Sequence, residues 1–253
     1  MRLFCLLAFT ISAAFADDLQ NLSGAGENRR IDQLGFTQTQ RWGADFEKFL
    51  RERPRFISSD WQNTITLPAP PANSSPRTQA EVKYLESLVS KRSGKLSEIK
   101  AEVLVTNFRF GNYNYTQLTT EKKFSETSKL ILAAYHDLAV VTFTMKKRFN
   151  RVRPSIMKKE LGHAIEIPAH PAYPSGHAIG AYTMAYLLQE LDPSSAKDYL
   201  KDAQRISENR EIAGLHYPSD SEAGRLIARQ LVDQFLANSN FKRQLENAKS
   251  EWP

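Results

Sequence analysis

The longest apolar stretch of the chain, at residues 125–150, most strongly constrains the fold. Its most apolar part covers residues 130–145 and has His136 and Asp137 in its middle. A membrane-spanning helix needs about 20 predominantly apolar residues. This shorter, interrupted stretch therefore predicts a helix buried in a protein core, and no membrane span is expected in the mature chain.

The other periodic segments are helical rather than alternating. An apolar face at residues 82–89 predicts one helix, which Gly94 is expected to close. Further helices are predicted at residues 177–191, 195–213, 219–235 and 241–249, and a weaker one at 39–50. Short connections between such helices are typical of an antiparallel bundle. The sequence thus predicts an all-α fold, a compact antiparallel helical bundle, with no strands.

The N-terminus has the pattern of a secretory signal peptide at residues 1–16. Arg2 precedes an apolar run, and Ala14 and Ala16 form a small-x-small cleavage site before Asp17. We therefore expect a periplasmic or secreted protein. Its only cysteine, Cys5, lies in this segment, so no disulfide is predicted for the mature chain.

The mature chain is predicted to have two parts. Residues 17–66 are polar and mixed, and they are assigned to an N-terminal extension of unknown role. A Pro-rich segment at 67–76 opens the main domain, residues 67–253. The formal charge of +6 becomes +5 without Arg2, and its cations are scattered apart from a cluster at 146–153. This pattern favours a local anionic site over nucleic-acid binding.

Three short motifs carry the chemistry, and the first lies at the end of the long helix. Lys146 precedes Arg153 by seven residues, about two helical turns, so the two cations could share one helical face. Pro154 disfavours helix at Arg153, which places the helix end nearby. In either case a point charge and a planar fork for oxyanions are expected close together.

The second motif, Pro174–Ser175–Gly176–His177, predicts the start of a helix. Ser175 is a good N-cap, and a helix N-terminus binds phosphate through free backbone N–H groups and partial positive charge. Gly176 lets an anion approach the backbone closely. His177 would stand at the mouth of this site, where it could protonate a leaving oxygen.

The third motif joins two predicted helices. Arg210 lies in the last turns of one helix, and His216 follows the Gly214 stop. Asp220 falls in the first turn of the next helix, within the capping-box pattern of residues 219–222. A carboxylate that accepts from one imidazole nitrogen aims the other outward. His216 therefore has the arrangement of an oriented nucleophile.

Each motif alone is more often structural than functional. Arg210, for example, could simply pair with Glu208 or Glu211, and single histidines are usually structural. No role is assigned to His136, His163 and His170. Together, the three motifs predict a site that holds a tetrahedral anion and transfers it by way of a histidine. No His, Glu or Asp cluster has metal-ligand spacing, so no metal or cofactor is expected.

The order Lys-x6-Arg-Pro, Pro-Ser-Gly-His and Arg-x5-His-x3-Asp resembles the type 2 phosphatidic acid phosphatase superfamily. Within it, the chain is most similar to the bacterial class A non-specific acid phosphatases. Supporting similarity lies at residues 67–71, at Tyr173 and at residues 241–245, and the resemblance covers about residues 67–252. It implies a helical bundle of that type and metal-independent hydrolysis of small phosphomonoesters.

The resemblance also implies roles for individual residues. His216 would attack phosphorus and become a phosphohistidine, His177 would protonate the leaving alcohol, and Asp220 would orient His216. The phosphate would be held by Lys146, Arg153, Ser175, Gly176 and Arg210. Serine usually precedes the third-motif arginine, whereas this chain has Asn209, whose amide could still donate to phosphate.

Two other functions stay open at this point. A vanadium-dependent haloperoxidase would use the same anion cradle and the last histidine to bind vanadate, although the chain is short for that group. A non-catalytic phosphate-binding protein would bind the anion without turnover. The sequence is also compatible with a homo-oligomer.

Overall fold

The computed structural model describes residues 25–252, so the predicted signal peptide lies outside the described residues. Its cleavage and the export of the chain stay predictions. The described residues are mostly helical, with one hairpin of two-residue strands, and the predicted all-α fold is confirmed. No helix between residues 25 and 252 has the length and apolar content that a bilayer crossing requires.

The α-helices are α1 (Ala25–Gln33), α2 (Phe36–Thr39), α3 (Ala44–Glu47), α4 (Trp61–Thr64), α5 (Pro76–Leu88), α6 (Arg92–Ala101), α7 (Tyr115–Thr120), α8 (Ser125–Phe149), α9 (Pro154–Met157), α10 (Gly176–Leu191), α11 (Ala196–Ile212), α12 (Pro218–Ala237) and α13 (Ser239–Lys249). The strands are β1 (Arg109–Phe110) and β2 (Tyr113–Asn114), which pair antiparallel. Short 3-10 turns lie at Lys48–Arg51, Val89–Lys91, Val105–Asn107, Lys122–Phe124, Lys159–Leu161 and Pro193–Ser195.

Two helices organise the core. The long apolar helix predicted at residues 125–150 is α8, which packs against α7, α10 and α13. Helix α10 in turn packs against α11 and α12. Their shared core contains the buried side chains of Leu130, Val141, Ile179, Leu187 and Phe235. Because α8, α10, α11 and α12 carry or border the three motifs, this packing brings the motifs together.

Three local predictions are wrong in detail. Gly94 lies inside α6 instead of ending a helix, because the break falls at the 3-10 turn Val89–Lys91. The predicted helix 39–50 is interrupted where Gly43 is extended and its N–H donates to the carbonyl of Ala169. The β1–β2 hairpin was not predicted, and Gly111 at its turn has a φ of 56°, which glycine tolerates.

Residues before the main domain are tied to α8 by one buried carboxylate. The Asp137 side chain accepts from the backbone N–H groups of Arg55, Phe56 and Ile57, at 2.8, 2.7 and 3.2 Å. Asp137 is fully buried, so these hydrogen bonds compensate its loss of hydration. The boundary at residue 66 stays a prediction, but the segment before it is packed on the helical core.

Candidate active site

The second motif begins α10, as predicted. The Ser175 hydroxyl accepts from Ala178 N–H at 3.3 Å, so Ser175 is the N-cap. Its own backbone N–H donates to the carbonyl of Asp220 at 3.0 Å, which bonds the second motif directly to the third. A Cβ on Gly176 would lie 3.4 Å from Thr142 and 3.8 Å from Lys146. The missing side chain thus leaves space beside Lys146.

The first motif does not place its two cations on one helix. Helix α8 ends at Phe149, and Asn150 follows in the left-handed conformation with a φ of 50°. Arg153 therefore lies beyond the helix, at the N-cap of the short α9. The two cations still converge, because Lys146 Nζ and Arg153 Nη2 both approach the carbonyl of Pro171, at 2.7 and 3.4 Å.

Lys146 is fully buried and donates to a ring of backbone carbonyls. Its Nζ lies 2.7 Å from the carbonyl of Pro171, 3.1 Å from that of Ala172 and 2.6 Å from that of Pro174. Burial, followed by the charge of Arg153, lowers the pKa of Lys146 well below its usual value. Three carbonyl acceptors, however, require three N–H donors, which only the ammonium form has. The hydrogen bonds therefore favour a protonated Lys146.

His216 lies between Arg153 and Asp220, and its partners define its tautomer. Arg153 Nη1 lies 3.0 Å from His216 Nε2 and 2.8 Å from the carbonyl of Leu215. Because a guanidinium can only donate, His216 Nε2 must accept and carries no proton. The proton is then on Nδ1, which lies 3.1 Å from Asp220 Oδ2. The ring is neutral, with its Nε2 lone pair directed to the side where the cations lie.

Burial keeps this ring neutral. Burial first, and the charges of Arg153 and Lys146 next, lower the pKa of His216 well below its usual value. Burial also lowers the pKa of Arg153 to about 10, which leaves the guanidinium charged at physiological pH. A neutral imidazole beside a charged guanidinium is the protonation pattern that a nitrogen nucleophile for an anionic substrate requires.

Arg210 and Asn209 share the carboxylate of Glu102, a residue outside the three motifs. Arg210 Nη2 lies 3.2 Å from Glu102 Oε2 and 2.9 Å from the carbonyl of Ile99, while Asn209 Nδ2 lies 2.9 Å from Glu102 Oε2. The other oxygen of Glu102 accepts from Arg205 at 2.6 Å. Asn209 therefore has a protein acceptor, and its phosphate-binding role stays a prediction.

His177 is half-buried and forms a hydrogen bond with the backbone of Glu102. Its Nε2 lies 2.9 Å from the backbone carbonyl of Glu102. A carbonyl only accepts, so this nitrogen carries the proton of a neutral ring. Burial first, and the charge of Arg210 next, lower the pKa of His177 to about 3. A bound anion would raise this pKa again, because it stabilises the imidazolium.

The motif arginines keep donors without acceptors. Among residues 25–252, three of their buried guanidinium nitrogens have no hydrogen-bond partner: Nε of Arg153, and Nε and Nη1 of Arg210. A buried unpaired donor costs about 1–3 kcal/mol. An oxyanion bound to these nitrogens would satisfy the donors and the positive charge together.

Four contributing residues had no predicted role, and one of them, His170, had been set aside as structural. Arg151 and Glu81 are buried behind Asp220, Glu102 holds Arg210, and His170 accepts from Arg153 through its carbonyl at 3.0 Å. Arg151, two positions before Arg153 and inside the basic cluster, could have been noticed. The other three lie outside the motifs, so no local pattern indicated them.

Sequence comparison finds relatives of this chain among bacterial acid phosphatases. The chain is 29% identical over 138 residues to a non-specific acid phosphatase of Providencia stuartii, covering 53% of this chain and 56% of that one. It is 32% identical over 80 residues to an acid phosphatase of Zymomonas mobilis, covering 32% of this chain and 30% of that one. It is 26% identical over 117 residues to a non-specific acid phosphatase of Salmonella typhimurium, which covers 44% of this chain and 46% of that one. These matches span about half the relatives' length or less, and no protein-family model matches the chain.

Solved structures show the same fold. A bacterial vanadium-dependent iodoperoxidase superposes with a TM-score of 0.56 at 15% identity, over 83% of this chain and 64% of that one. A holo-type bacterial vanadium-dependent chloroperoxidase superposes with a TM-score of 0.61 at 12% identity, over 83% of this chain and 56% of that one. At these identities the likeness concerns the fold alone.

Fold and site together define a helical protein with a buried histidine–carboxylate pair beside buried cations. The chain is homologous to the bacterial non-specific acid phosphatases and has the fold of the vanadium haloperoxidases, the combination found in the type 2 phosphatidic acid phosphatase superfamily. The resemblance stated from the three motifs is thereby confirmed.

Proposed function

We propose that this chain hydrolyses phosphate monoesters without a metal ion, as an acid phosphatase that forms a phosphohistidine on His216. The observation that supports this most strongly is the unprotonated Nε2 of His216, held beside Arg153 by Asp220. Its relatives among the non-specific acid phosphatases support the same reaction class.

In the first step, His216 Nε2 attacks phosphorus as the bond from phosphorus to the leaving oxygen breaks. The imidazole becomes cationic because it keeps the proton on Nδ1, and Asp220 stabilises that charge at 3.1 Å. The Arg153 N–H that had donated a hydrogen bond to Nε2 is then free to donate to a phosphoryl oxygen. His177, protonated once the substrate anion has raised its pKa, gives its proton to the leaving oxygen.

In the second step, water replaces His216 on phosphorus. The now neutral His177 accepts a proton from the attacking water, the bond between Nε2 and phosphorus breaks, and inorganic phosphate leaves. Phosphoryl transfer depends mainly on positioning and charge stabilisation. We assign that charge to Arg153, Arg210 and Lys146, with backbone N–H groups at the start of α10.

The proposed substrates are small, soluble phosphomonoesters. The fixed groups of the site would all bind the phosphoryl part, so the leaving group needs little recognition. Export to the periplasm or beyond is part of the proposal and rests on the N-terminal sequence pattern alone.

The test is hydrolysis of p-nitrophenyl phosphate between mildly acidic and neutral pH, with EDTA present. His216→Ala should lower kcat by at least about 10³-fold, as loss of a nucleophile does. The matched control is His163→Ala, since His163 is exposed and outside the motifs. Turnover that persists in folded His216→Ala would reject the mechanism, and phosphate binding without turnover in the intact chain would indicate a binding protein.

A vanadate-dependent peroxidase is a second candidate, because the matching solved structures carry that description. The residues fit vanadate as they fit phosphate: His216 Nε2 would hold the metal, and the unpartnered donors of Arg153 and Arg210 would hold its oxygens. Bound vanadate would supply activation of peroxide for halide oxidation. Bromide oxidation with vanadate and peroxide, in a chain that does not hydrolyse p-nitrophenyl phosphate, would favour this candidate.

A further inference from the structure

Arg151 is a buried cation that the proposed mechanism does not use. It is 3% exposed and lies behind Asp220, on the side away from His216's reactive nitrogen. Its Nη1 donates to Asp220 Oδ1 and to the Ser219 hydroxyl, both at 2.7 Å. Its Nη2 donates to Glu81 Oε2 at 3.2 Å. The guanidinium thus bridges two carboxylates from different helices, α5 and α12.

These contacts leave Asp220 little freedom. Its Oδ1 accepts from Arg151, while its Oδ2 accepts from His216 Nδ1 at 3.1 Å and from the Tyr217 backbone N–H at 3.0 Å. The carboxylate is fully buried, so these hydrogen bonds compensate its loss of hydration. If Arg151 were absent, one oxygen would lose its charged donor and the carboxylate could turn away from His216.

Arg151 is itself held from three directions. Its guanidinium lies 3.9 Å from the centroid of the Tyr217 ring, and Glu81 binds both Arg151 and the Ser219 backbone N–H, the latter at 2.8 Å. Burial acts to lower the pKa of Arg151, but the charge of Asp220, with Tyr217 and Glu81, outweighs it and raises the pKa. The group is therefore a permanent, immobile cation.

We propose that Arg151 is a positioning residue for phosphoryl transfer, because it holds Asp220 so that the Asp220–His216 hydrogen bond aims Nε2 at phosphorus. Glu81 completes the arrangement by fixing Arg151 from α5. The assignment to phosphoryl transfer rests on the proposed function. The underlying claim, that Arg151 maintains the Asp220–His216 hydrogen bond, can be tested separately.

The experiment compares Arg151→Gln and Arg151→Lys with the intact chain. Arg151→Gln should lower kcat for p-nitrophenyl phosphate by about 10- to 100-fold, as the loss of an outer positioning group typically does. KM and the inhibition constant of inorganic phosphate should change less than about threefold, because the phosphate-binding donors remain. Arg151→Lys keeps the charge without the fork and should recover part of kcat. The control is Arg229→Gln on α12, an exposed arginine that pairs with Asp233 and lies over the Tyr186 ring, away from the three motifs.

A second readout needs no turnover. In the intact chain, the His216 Nδ1 proton should give a downfield NMR resonance, identified by its loss in His216→Ala. In Arg151→Gln it should move upfield and exchange faster with water. If the intact chain has no phosphatase activity, the proposed function fails, and this resonance still decides whether Arg151 holds Asp220.

Three results would overturn the inference: an unchanged kcat in folded Arg151→Gln, an Nδ1 resonance that does not move, or losses in phosphate affinity as large as those in kcat. If Arg151→Gln does not fold, Arg151→Lys takes its place. A lysine can reach Asp220 or Glu81 but cannot bridge both, so kcat should again fall while KM stays. A kcat equal to that of the intact chain would then overturn it.

Discussion

Arg153 donates through Nη1 to Nε2 of His216 at 3.0 Å, and the same nitrogen donates to the Leu215 carbonyl at 2.8 Å. The hydrogen bond to Leu215 keeps the guanidinium in place when Nε2 gives up its hydrogen bond to Arg153 and attacks phosphorus. In the proposed reaction the nucleophile therefore gives up a donor that is already in place for the phosphoryl oxygen. A group held ready in this way needs no reorganisation as the transition state forms.

This relationship predicts that Arg153→Lys is not conservative. A lysine keeps the charge, but it cannot bind Leu215, His216 and the His170 carbonyl together. We expect kcat for p-nitrophenyl phosphate to fall by at least about 10²-fold, the scale seen when one oxyanion donor is lost. Circular dichroism should confirm that the variant is folded. A kcat within about threefold of the intact chain would contradict the role of the fork.

His177→Ala should distinguish substrates by their leaving groups. A poor leaving group, such as an alkyl alcohol, needs the proton and should lose about 10²–10⁴-fold in kcat. A nitrophenolate needs it less and should lose far less. The measurement is kcat for a series of monoesters of increasing leaving-group pKa, in the variant and the intact chain. Equal losses across the series would reject His177 as the acid.

Substitutions of Arg210 and Asn209 should differ in how much they weaken the binding of inorganic phosphate. Arg210 has unpartnered donors, whereas the Asn209 amide nitrogen is held by Glu102 at 2.9 Å. Arg210→Gln should therefore raise the inhibition constant of inorganic phosphate by about tenfold or more, since it removes a charge-assisted contact. Asn209→Ala should raise it by less than about threefold. A similar increase in both variants would instead support Asn209 as a direct phosphate ligand.

The contrast between these residues shows what the sequence could predict. Ser175, Gly176 and His177 are adjacent, and His216 lies four residues before Asp220, so local spacing sufficed to group them. Glu102, by contrast, reaches Arg210 across 108 residues of sequence. Only the packing of α6 on α11 brings the two together.

In the fold, too, the features set by local sequence were predicted and those set by contacts between distant residues were not. Long apolar helices such as α8 and α10 were predicted nearly to their ends, because their periodicity is local. The broken helices of residues 36–51 were not predicted, since a contact from Gly43 to Ala169 interrupts them. The placement of Arg153 beyond α8 depends on the left-handed Asn150, which the Lys-x6-Arg spacing does not indicate.

A buried carboxyl in the third motif, between Arg210 and His216, predicts the pH dependence of stability. Burial, reinforced by the charges of Glu208, Asp220 and Glu81, raises the pKa of Glu211 from 4.5 to about 7. Between these values the folded chain binds a proton that the unfolded chain does not. The free energy of unfolding should therefore fall as pH rises through this window.

Glu211→Gln isolates this effect, because the variant lacks this carboxyl and keeps every other titratable group. From pH 4.5 to pH 8, the intact chain should lose about 3 kcal/mol relative to the variant, the equivalent of the pKa shift. Urea unfolding across this range measures the difference. Stability curves that run parallel would show that Glu211 does not titrate as described.

The most direct test of the central claim is to trap the phosphoenzyme. The intact chain is mixed with substrate, quenched in alkali within milliseconds, digested and examined by mass spectrometry, because phosphohistidine survives alkali and not acid. We expect one phosphate on His216 in the intact chain and in the His163→Ala control, and none in His216→Ala. Rapid turnover with no phosphate on His216, or phosphate on another residue, would contradict it.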